Sequence, residues 1–369
     1  MKLSEFDYKL PQEFIAQTPA EPRDYSKLMV IHRNTGFIEH KHFYDIADYL
    51  NEKDVLVANN SKVMAARLFG NKSTGAKVEI LLLHKEIENR WQALVKPAKR
   101  LRIGDEIYFG VDKNYEIKQK DHGILRPPGA RAQNDALRKG GIIVATVVKE
   151  MEEGIRALDF NCDIINKLDK IGIVPLPPYI KVADAQSFKK RYQTVYSKTL
   201  GSAAAPTAGL HFTDGLIEEL KIKGVEFKYA SLHIGLDTFR PMTAENIEEH
   251  KIHKEYCEFS EDLARELNRA RKNGKRVVAV GTTTARILET ACNKNGISHP
   301  FKGWTNIFIY PGYKFKAVDA LITNFHLPKS SLLLMVSAFA GKKLITKAYE
   351  EAKKHNYRFF SFGDAMLIM

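Results

Sequence analysis

Two sequence patterns alternate along this chain, and the points where they change constrain its fold most strongly. From about Val63 to Arg156 the sequence consists of short alternating segments such as ARLFG, KVEILLLH and RWQALVKP, separated by Gly, Lys and Asp clusters. Short strands at this spacing are typical of a small antiparallel β-barrel. On both sides of this span, strand-like apolar runs alternate with helical stretches, which favours an α/β domain with a largely parallel sheet.

We therefore predict a discontinuous α/β main domain, whose first part is residues 1–62 and whose second part is residues 157–369. The inserted antiparallel β-barrel domain covers residues 63–156, and LVKPAKRLRIGDEIYF is predicted to form a hairpin within it that turns at Ile103–Gly104. In the second part, Thr213 and Gly224 are the predicted start and stop signals of a helix. A second helix is predicted from about Thr284 to Asn293. The predicted strands are Lys275–Val280, Thr305–Tyr310 and Val318–Phe325.

Charge and composition indicate the partners and the compartment. Lys and Arg total 57 against 44 Asp and Glu, a net charge of +13 that favours a polyanionic partner. The three cysteines form no disulfide framework, the N-terminus lacks a signal-peptide core, and the longest apolar run, Leu332–Ala340, is too short to span a membrane. We expect a cytoplasmic protein with no membrane association, and a monomer because no dimerisation seam is visible.

Polar residues gather at the predicted carboxyl ends of four strands. Open α/β sheets bind ligands beyond these ends. One polar strand end would be unremarkable, but four together indicate a single crevice. The residues that follow the four strands are Asn59 and Asn60, Asp237, Thr282 to Thr284, and Asn324 with His326.

The segment VAVGTTTARILET predicts a strand, a turn of small residues and the first turn of a helix. Such a turn exposes backbone N–H groups that suit a carboxylate or a phosphate. It is neither a P-loop nor a GxGxxG motif, and both motifs are absent from the chain. The alternative is that Thr282, Thr283 and Thr284 only cap the helix.

The segment LGSAAAPTAGLHFT consists almost entirely of small residues and leads to His211 just before a predicted helix. Small side chains let a backbone approach a flat ligand closely, and histidine titrates near neutral pH. A tight structural loop would explain the small residues equally well. We favour a functional role because such a loop does not explain the histidine.

His250, His253 and Cys257 form an H-x-x-H-x-x-x-C pattern that could bind zinc. No second Cys/His pair has matching spacing, so we predict no metal. Glu255 lies two residues after His253, and that pair is better placed for proton transfer or ribose binding. The alternative is a solvated charged segment.

Several long stretches of the chain match the pattern of one known family. They include NNSKVMAARL, GSAAAPTAGLHFT, LHIGLDTFRP, HKIHKEYCEFS, VGTTTARILE, TNFHLPKSSLLLMVSAFAG and FGDAMLI. On these stretches the chain closely resembles the S-adenosylmethionine:tRNA ribosyltransferase-isomerase family of queuosine biosynthesis. The resemblance runs almost from end to end and is weakest over about 85–145. Two positions depart from the family pattern: Lys27 stands where Arg is usual, and Thr284–Ala285 where Ser–Val is common.

The resemblance implies an α/β body with a β-barrel, no metal or other cofactor, and S-adenosylmethionine as a substrate. It implies transfer and isomerisation of the ribosyl part of S-adenosylmethionine onto 7-aminomethyl-7-deazaguanine at the tRNA wobble position. The implied products are epoxyqueuosine-tRNA, adenine and methionine.

Such a reaction needs a base, an acid and partners for the ribose and the sulfonium. We expect His211 or His253 to move protons, and Asp237 and Glu255 to hold the ribose or the positive sulfur. Further substrate-binding candidates are Thr282, Thr283 and Thr284 for the methionine carboxylate, and Asn324, His326 and Asp364. The candidates for tRNA phosphate contacts are Arg67, Lys96, Lys99, Arg100 and Arg102.

Two other classes of protein remain open from the residues alone. An RNA methyltransferase that uses S-adenosylmethionine would normally carry a Gly-rich turn after its first strand, and this chain lacks one. A non-catalytic RNA-binding adaptor would explain the charge and the aromatic residues, but not the four polar strand ends.

Overall fold

The computed structural model describes residues 1–110, 142–182, 186–235, 242–252 and 254–369. The chain divides into two compact units. The main unit comprises Met1–Lys62, Leu176–Ala183 and Lys190–Met369, and the barrel unit comprises Val63–Pro175 and Asp184–Lys189. No helix within the described residues is both long and apolar enough to cross a membrane.

The main unit is built on a large mixed β-sheet. Strands are numbered along the whole chain. Those of this sheet are β1 (Lys27–His32), β2 (Phe37–His42), β3 (Asp54–Asn59), β13 (Glu226–His233), β14 (Glu255–Phe259), β15 (Arg276–Val280), β16 (Phe301–Thr305), β17 (Ala320–Asn324) and β18 (Ala365–Ile368). Their order across the sheet is β16-β14-β13-β3-β15-β17-β18-β1-β2. Two further short strands are β4 (Ser61–Val63) and β12 (Thr199–Ser202).

The sheet is less parallel than the sequence pattern indicates. The block β13-β3-β15-β17 is parallel throughout, and β18 pairs with β1 in parallel. The neighbours β1–β2, β13–β14, β14–β16 and β17–β18 pair antiparallel. The connection between β1 and β2 is too short for the crossover that a parallel pair requires, so this edge must be antiparallel.

Local sequence signals position the helices. The helices are α1 (Leu168–Ile171), α2 (Asp214–Ile222), α3 (Glu261–Lys272), α4 (Thr282–Thr290), α5 (Ser331–Ala340) and α6 (Lys342–Lys354). The hydroxyl groups of Thr213, Ser260 and Ser330 accept hydrogen bonds from the first turns of α2, α3 and α5, as expected of N-cap residues. The helix predicted from Thr284 begins two residues earlier, because Gly281 has a φ of 93° and forms the turn itself.

Alternate residues of the sheet strands pack into two apolar layers. In β1, Leu28 and Val30 contribute to one buried cluster, and Met29 and Ile31 contribute to the other. The predicted strand Thr305–Tyr310 is wrong, because β16 ends at Thr305. Thr305 pairs with Glu255, the first residue of β14, so the neighbouring strand offers no partner beyond this point.

The barrel unit contains a closed antiparallel barrel of six strands. They are β5 (Arg67–Lys72), β6 (Lys77–Ile87), β7 (Arg90–Lys96), β8 (Glu106–Phe109), β9 (Ile143–Glu150) and β10 (Ile155–Phe160). Their order is β5-β6-β7-β10-β9-β8, and pairing of β8 with the end of β5 closes the barrel, while β11 (Gly172–Ile173) pairs antiparallel with the start of β5. Gly70 lies at the closure, where an added Cβ would lie 2.8 Å from Ile107 Cγ2.

Two details of the barrel differ from the sequence reading. Gly104 forms a turn with a φ of 89°, as predicted, but β7 and β8 do not pair with each other across it. Instead, β8 pairs with β9 and β5. β10 continues to Phe160, past the expected boundary at Arg156.

Candidate active site

The topology of the main sheet brings chemically functional residues to one edge. The four strands β13, β3, β15 and β17 are parallel, so their carboxyl ends share this edge. Strands β14, β18 and β1 run in the opposite direction, so their first residues lie at the same edge. The polar residues that reach it are Ser26, Asn59, Glu255, Thr282, Asn324 and Asp364.

His211 lies at the centre of a buried hydrogen-bond network at this edge. It ends a short 3-10 segment, Thr207–His211, and its Nδ1 lies 2.7 Å from Ser26 Oγ. Asn324 Nδ2 lies 3.2 Å from His211 Nε2 and donates to the Phe360 carbonyl at 3.1 Å. Because that carbonyl can only accept, it fixes the orientation of the amide. Nε2 therefore accepts from Asn324, and the ring proton lies on Nδ1.

Burial keeps the His211 imidazole neutral. Burial, and to a smaller extent the positive charges of Arg358 and Arg23, lower its pKa to about 3. The ring also stacks on Phe43, with the ring centroids 4.9 Å apart. Since both ring nitrogens already have partners in the protein, this arrangement suits hydrogen bonding and positioning better than proton transfer.

The small residues before His211 serve close packing against the protein itself. An added Cβ at Gly209 would lie 2.0 Å from Tyr196 Oη, and one at Gly281 would lie 3.6 Å from Ala208 Cβ. The latter contact places the Thr207–His211 segment beside the first turn of α4. Small side chains thus let the segment that carries His211 approach the helix N-terminus.

We expect Gly209→Ala to displace the segment that carries His211, because the new methyl group would overlap the Tyr196 hydroxyl. Overpacking of this kind costs about 1–3 kcal/mol of the free energy of unfolding. Gly215→Ala in α2 is the matched control, since no atom lies within 4 Å of its added Cβ. The free energy of unfolding, measured with urea, and the turnover should both fall for Gly209→Ala and stay unchanged for the control. Equal behaviour of the two variants would contradict this packing.

The first turn of α4 offers free backbone donors. Gly281 at the N-cap supplies no side-chain hydrogen bond, and the first amides of any helix lack intrahelical acceptors. Thr282 and Thr283 are almost fully buried there. Thr284 differs from them, because its hydroxyl donates to the Val280 carbonyl at 2.7 Å. Thr282 and Thr283 are therefore better placed than Thr284 to bind a ligand.

Glu255 is not a free carboxylate at this edge. It is 5% exposed, its Oε2 contacts Arg286 Nη1 of α4, and its Oε1 accepts from the Gly235 amide at 3.3 Å. The ion pair joins the start of β14 to the second turn of α4. Arg286 is 6% exposed and was not among the residues expected from the sequence.

His326 and Asp364 are buried and bound within the protein. His326 Nε2 lies 2.8 Å from Thr323 Oγ1, and burial lowers its pKa to about 3. Asp364 accepts from the Lys27 amide at 3.1 Å and from the Arg358 amide at 2.7 Å, and its Oδ1 also lies 3.0 Å from Arg358 Nη2. These contacts anchor the turn that presents the Phe360 carbonyl to Asn324, so Asp364 acts on the network indirectly.

Two of the predicted catalytic residues, Asp237 and His253, lie outside the described residues. Of the possible ligands in the H-x-x-H-x-x-x-C pattern, Cys257 is buried in β14, and burial raises its thiol pKa to about 12, which disfavours a thiolate ligand.

One cluster among the described residues could hold a metal ion by distance alone. One ligand atom from each of His40, Glu351 and His355 lies within 4.8 Å of the other two. The expectation that the protein uses no metal stays a prediction.

The residues expected to contact tRNA differ in exposure. Arg67 is half-buried, and its Nε lies 3.3 Å from Glu79 Oε1. The other four surround the 3-10 turn Ala98–Arg100 at the end of β7 and are exposed: Lys96, Lys99, Arg100 and Arg102. We call these four residues the basic turn.

Three further residues at the sheet edge were not predicted from the sequence. Ser26 and Arg358 precede strands by one and seven residues and carry no motif of their own. Arg286 did leave a signal, a lone cation in the apolar stretch ARIL of α4. Its position four residues after Thr282 places both on one face of the helix.

A mixed sheet with polar residues collected at one edge, together with a closed β-barrel, defines an α/β protein with a candidate active site and a barrel unit. Residues 3–368 match the family described as queuosine biosynthesis protein. The chain belongs to this family, as its resemblance to the ribosyltransferase-isomerases indicated.

Full-length relatives agree with this assignment. The chain is 49% identical to the S-adenosylmethionine:tRNA ribosyltransferase-isomerase of Macrococcus caseolyticus and 48% identical to that of Staphylococcus saprophyticus, each over 100% of both chains. It is also similar to a crystal structure of S-adenosylmethionine tRNA ribosyltransferase from Thermotoga maritima. That similarity has a TM-score of 0.53 and 39% identity, and it covers 99% of this chain and 100% of the other.

Proposed function

We propose that this enzyme transfers and isomerises the ribosyl part of S-adenosylmethionine onto 7-aminomethyl-7-deazaguanine at the tRNA wobble position. The products are epoxyqueuosine-tRNA, adenine and methionine. The observation that carries the proposal is the full-length similarity to relatives named for this transfer, at 49% and 48% identity. The network around His211 and the first turn of α4 supports it, because both lie where an α/β sheet binds small ligands.

The chemistry requires a base at C5′ and assistance to the departing adenine. The sulfonium acidifies the C5′ hydrogens, so a positioned base can remove one of them, while the aminomethyl nitrogen of the tRNA base must be unprotonated to attack. In this proposal His253 is the proton-transfer residue, and Asp237 holds the ribose or the sulfonium. His211 instead orients the site as a neutral imidazole, since its pKa is about 3 and both of its nitrogens are bound.

The other predicted residues divide into two groups. The first turn of α4 binds the methionine carboxylate through the backbone N–H groups and hydroxyls of Thr282 and Thr283. The second group holds other parts of the site in place, since each of its side chains has a hydrogen-bond partner within the protein. Its members are Asn324, His326, Asp364 and Thr284.

Product analysis tests this function. The protein is incubated with S-adenosylmethionine and tRNA that carries the aminomethyl base, and the small molecules are identified by mass spectrometry. We expect free adenine and methionine in equal amounts. S-adenosylhomocysteine would indicate a methyltransferase instead, and no small product would indicate an adaptor. Either result would overturn the proposal.

We expect the basic turn to contribute to tRNA binding. Lys99→Gln combined with Arg100→Gln should weaken tRNA binding. It should also flatten the slope of log affinity against log salt by about one unit for each lost phosphate contact. Lys149→Gln, an exposed lysine on β9 of the same unit, is the control. Filter binding between 50 and 300 mM salt measures this slope, and an unchanged slope in the double variant would exclude these two residues.

A further inference from the structure

Among the described residues, a buried arginine of α4 has a hydrogen-bonding edge that no protein group uses. Arg286 is 6% exposed, and its Nη1 contacts Oε2 of Glu255, which is 5% exposed. In the described part of the chain, Arg286 Nε and Nη2 are buried and have no hydrogen-bond partner. Buried donors without acceptors are unfavourable, and those of a cation especially so. The unused edge therefore points to a ligand.

The unused edge has the geometry that binds a carboxylate. Nε–H and Nη2–H of a guanidinium are parallel and match the two oxygens of one carboxylate. Among the described residues, Arg90 and Arg276 bind both oxygens of a carboxylate through this edge. Arg90 donates from Nε and Nη2 to Asp159 at 2.5 and 2.7 Å, and Arg276 donates in the same way to Asp54 at 2.7 and 3.1 Å.

The position of Arg286 on its helix directs it to the first turn of α4. Arg286 follows Thr282 by four residues and Thr283 by three, so the three side chains share one face. Side chains of a helix lean towards its N-terminus, so a guanidinium at this position is directed towards the turn that carries the free amides. A long tRNA backbone has little access to a side chain that is 6% exposed, whereas a small carboxylate can enter.

We propose that Arg286 binds the carboxylate of the methionine part of S-adenosylmethionine through Nε and Nη2. This inference rests on the function proposed above and adds a residue to it. Glu255 is a positioning residue, because its bond to Nη1 fixes the plane of the guanidinium and leaves the other edge for the ligand. The Gly235 amide holds Glu255 in turn at 3.3 Å.

A pair of ligands tests the inference directly. The affinities of S-adenosylmethionine and of its decarboxylated analogue are measured by calorimetry on the full-length protein. The wild type should prefer S-adenosylmethionine by about 10- to 100-fold, the range expected of charge-assisted bidentate hydrogen bonds. Equal affinity of the wild type for both ligands would overturn the inference without any variant. Binding of neither would overturn the proposed function as well.

Arg286→Lys is the informative variant, because lysine can still pair with Glu255 but lacks the two parallel donors. Its preference for S-adenosylmethionine should fall to less than about 3-fold, while its affinity for the decarboxylated analogue should stay within about 3-fold of the wild type. Arg90→Lys, whose arginine already binds Asp159, is the control and should keep the full preference. A folded Arg286→Lys variant with the wild-type preference would overturn the inference.

Glu255→Gln tests the positioning role. A residue that only supports the fold would weaken binding of both ligands equally. We expect a selective loss instead, in which the preference for the carboxylate falls about 3- to 10-fold. An unchanged preference would reject positioning by Glu255, whether both affinities fall equally or neither falls.

Discussion

Replacement of His211 with alanine is expected to lower turnover by about 10²-fold or more, because the groups that it positions would shift. The imidazole joins Ser26, which precedes β1, to Asn324, which ends β17, so its loss removes the side-chain hydrogen bonds between these two strand ends. His211→Gln keeps a donor and an acceptor near these positions and should retain clearly more activity than the alanine variant. Steady-state kinetics with tRNA and S-adenosylmethionine measure both effects.

The control for this experiment separates lost activity from lost stability. Leu220→Ala removes a fully buried side chain from the same apolar cluster as Phe212, next to His211 in sequence, and should cost about 2–5 kcal/mol of stability. Leu220 makes no polar contact at the sheet edge, so turnover per folded molecule should remain close to that of the wild type. If His211→Ala and this control have equal turnover per folded molecule, His211 has no role in the active site.

The pH dependence of His211→Gln separates positioning from proton transfer. Because the wild-type His211 has a pKa of about 3, it should contribute no ionisation to the rate profile between pH 5 and 9. The variant should therefore keep the shape of the wild-type profile at a lower rate. If the variant loses an ionisation near pH 6 to 7, His211 transfers protons and the positioning role is wrong.

Two buried neutral histidines should make the fold sensitive to acid. Burial lowers the pKa values of His211 and His326 to about 3, below the 6.5 of an unfolded histidine. Between these values the unfolded chain binds more protons than the folded one, so stability falls as pH decreases. Each histidine lowers the free energy of unfolding by about 1.4 kcal/mol for each pH unit that the solution lies below 6.5. Above that pH this loss is absent.

Urea unfolding at pH 5, 6 and 7 measures this loss, and the carboxylates interfere little in that range. His40 and His233 also have pKa values lowered by burial, so the comparison must be made between variants. His326→Gln should reduce the dependence of the free energy of unfolding on pH. The double variant, which also carries His211→Gln, should reduce it about twice as much. A double variant with the slope of the wild type would contradict the assignment of both histidines as neutral and buried.

Sequence reasoning succeeded where local signals dominate. Thr213 and Gly224 lie at the helix boundaries that their types indicate, and the short alternating segments after Val63 do form a closed barrel. Strand ends rich in polar residues could be recognised because parallel strands place such ends together. That reasoning covered Asn324 and Thr282, which lie at the edge as expected.

Tertiary pairing explains what the sequence could not supply. Glu255 and Arg286 are 31 residues apart, and only the antiparallel pairing of β14 beside β13 brings the carboxylate to α4. The stretch Thr305–Tyr310 has the composition of a strand, yet β14 begins at Glu255, opposite Thr305, and provides no partner for the residues that follow. The low pKa of His211 depends on complete burial, which no local pattern reveals.

Hydrogen–deuterium exchange with and without S-adenosylmethionine tests most directly whether the polar edge of the main sheet is the ligand site. Saturating ligand should slow exchange in residues 200–213, 276–290 and 320–328, with the strongest effect at the first turn of α4. Slower exchange confined to the barrel unit, under conditions where calorimetry shows binding, would contradict a site at this edge.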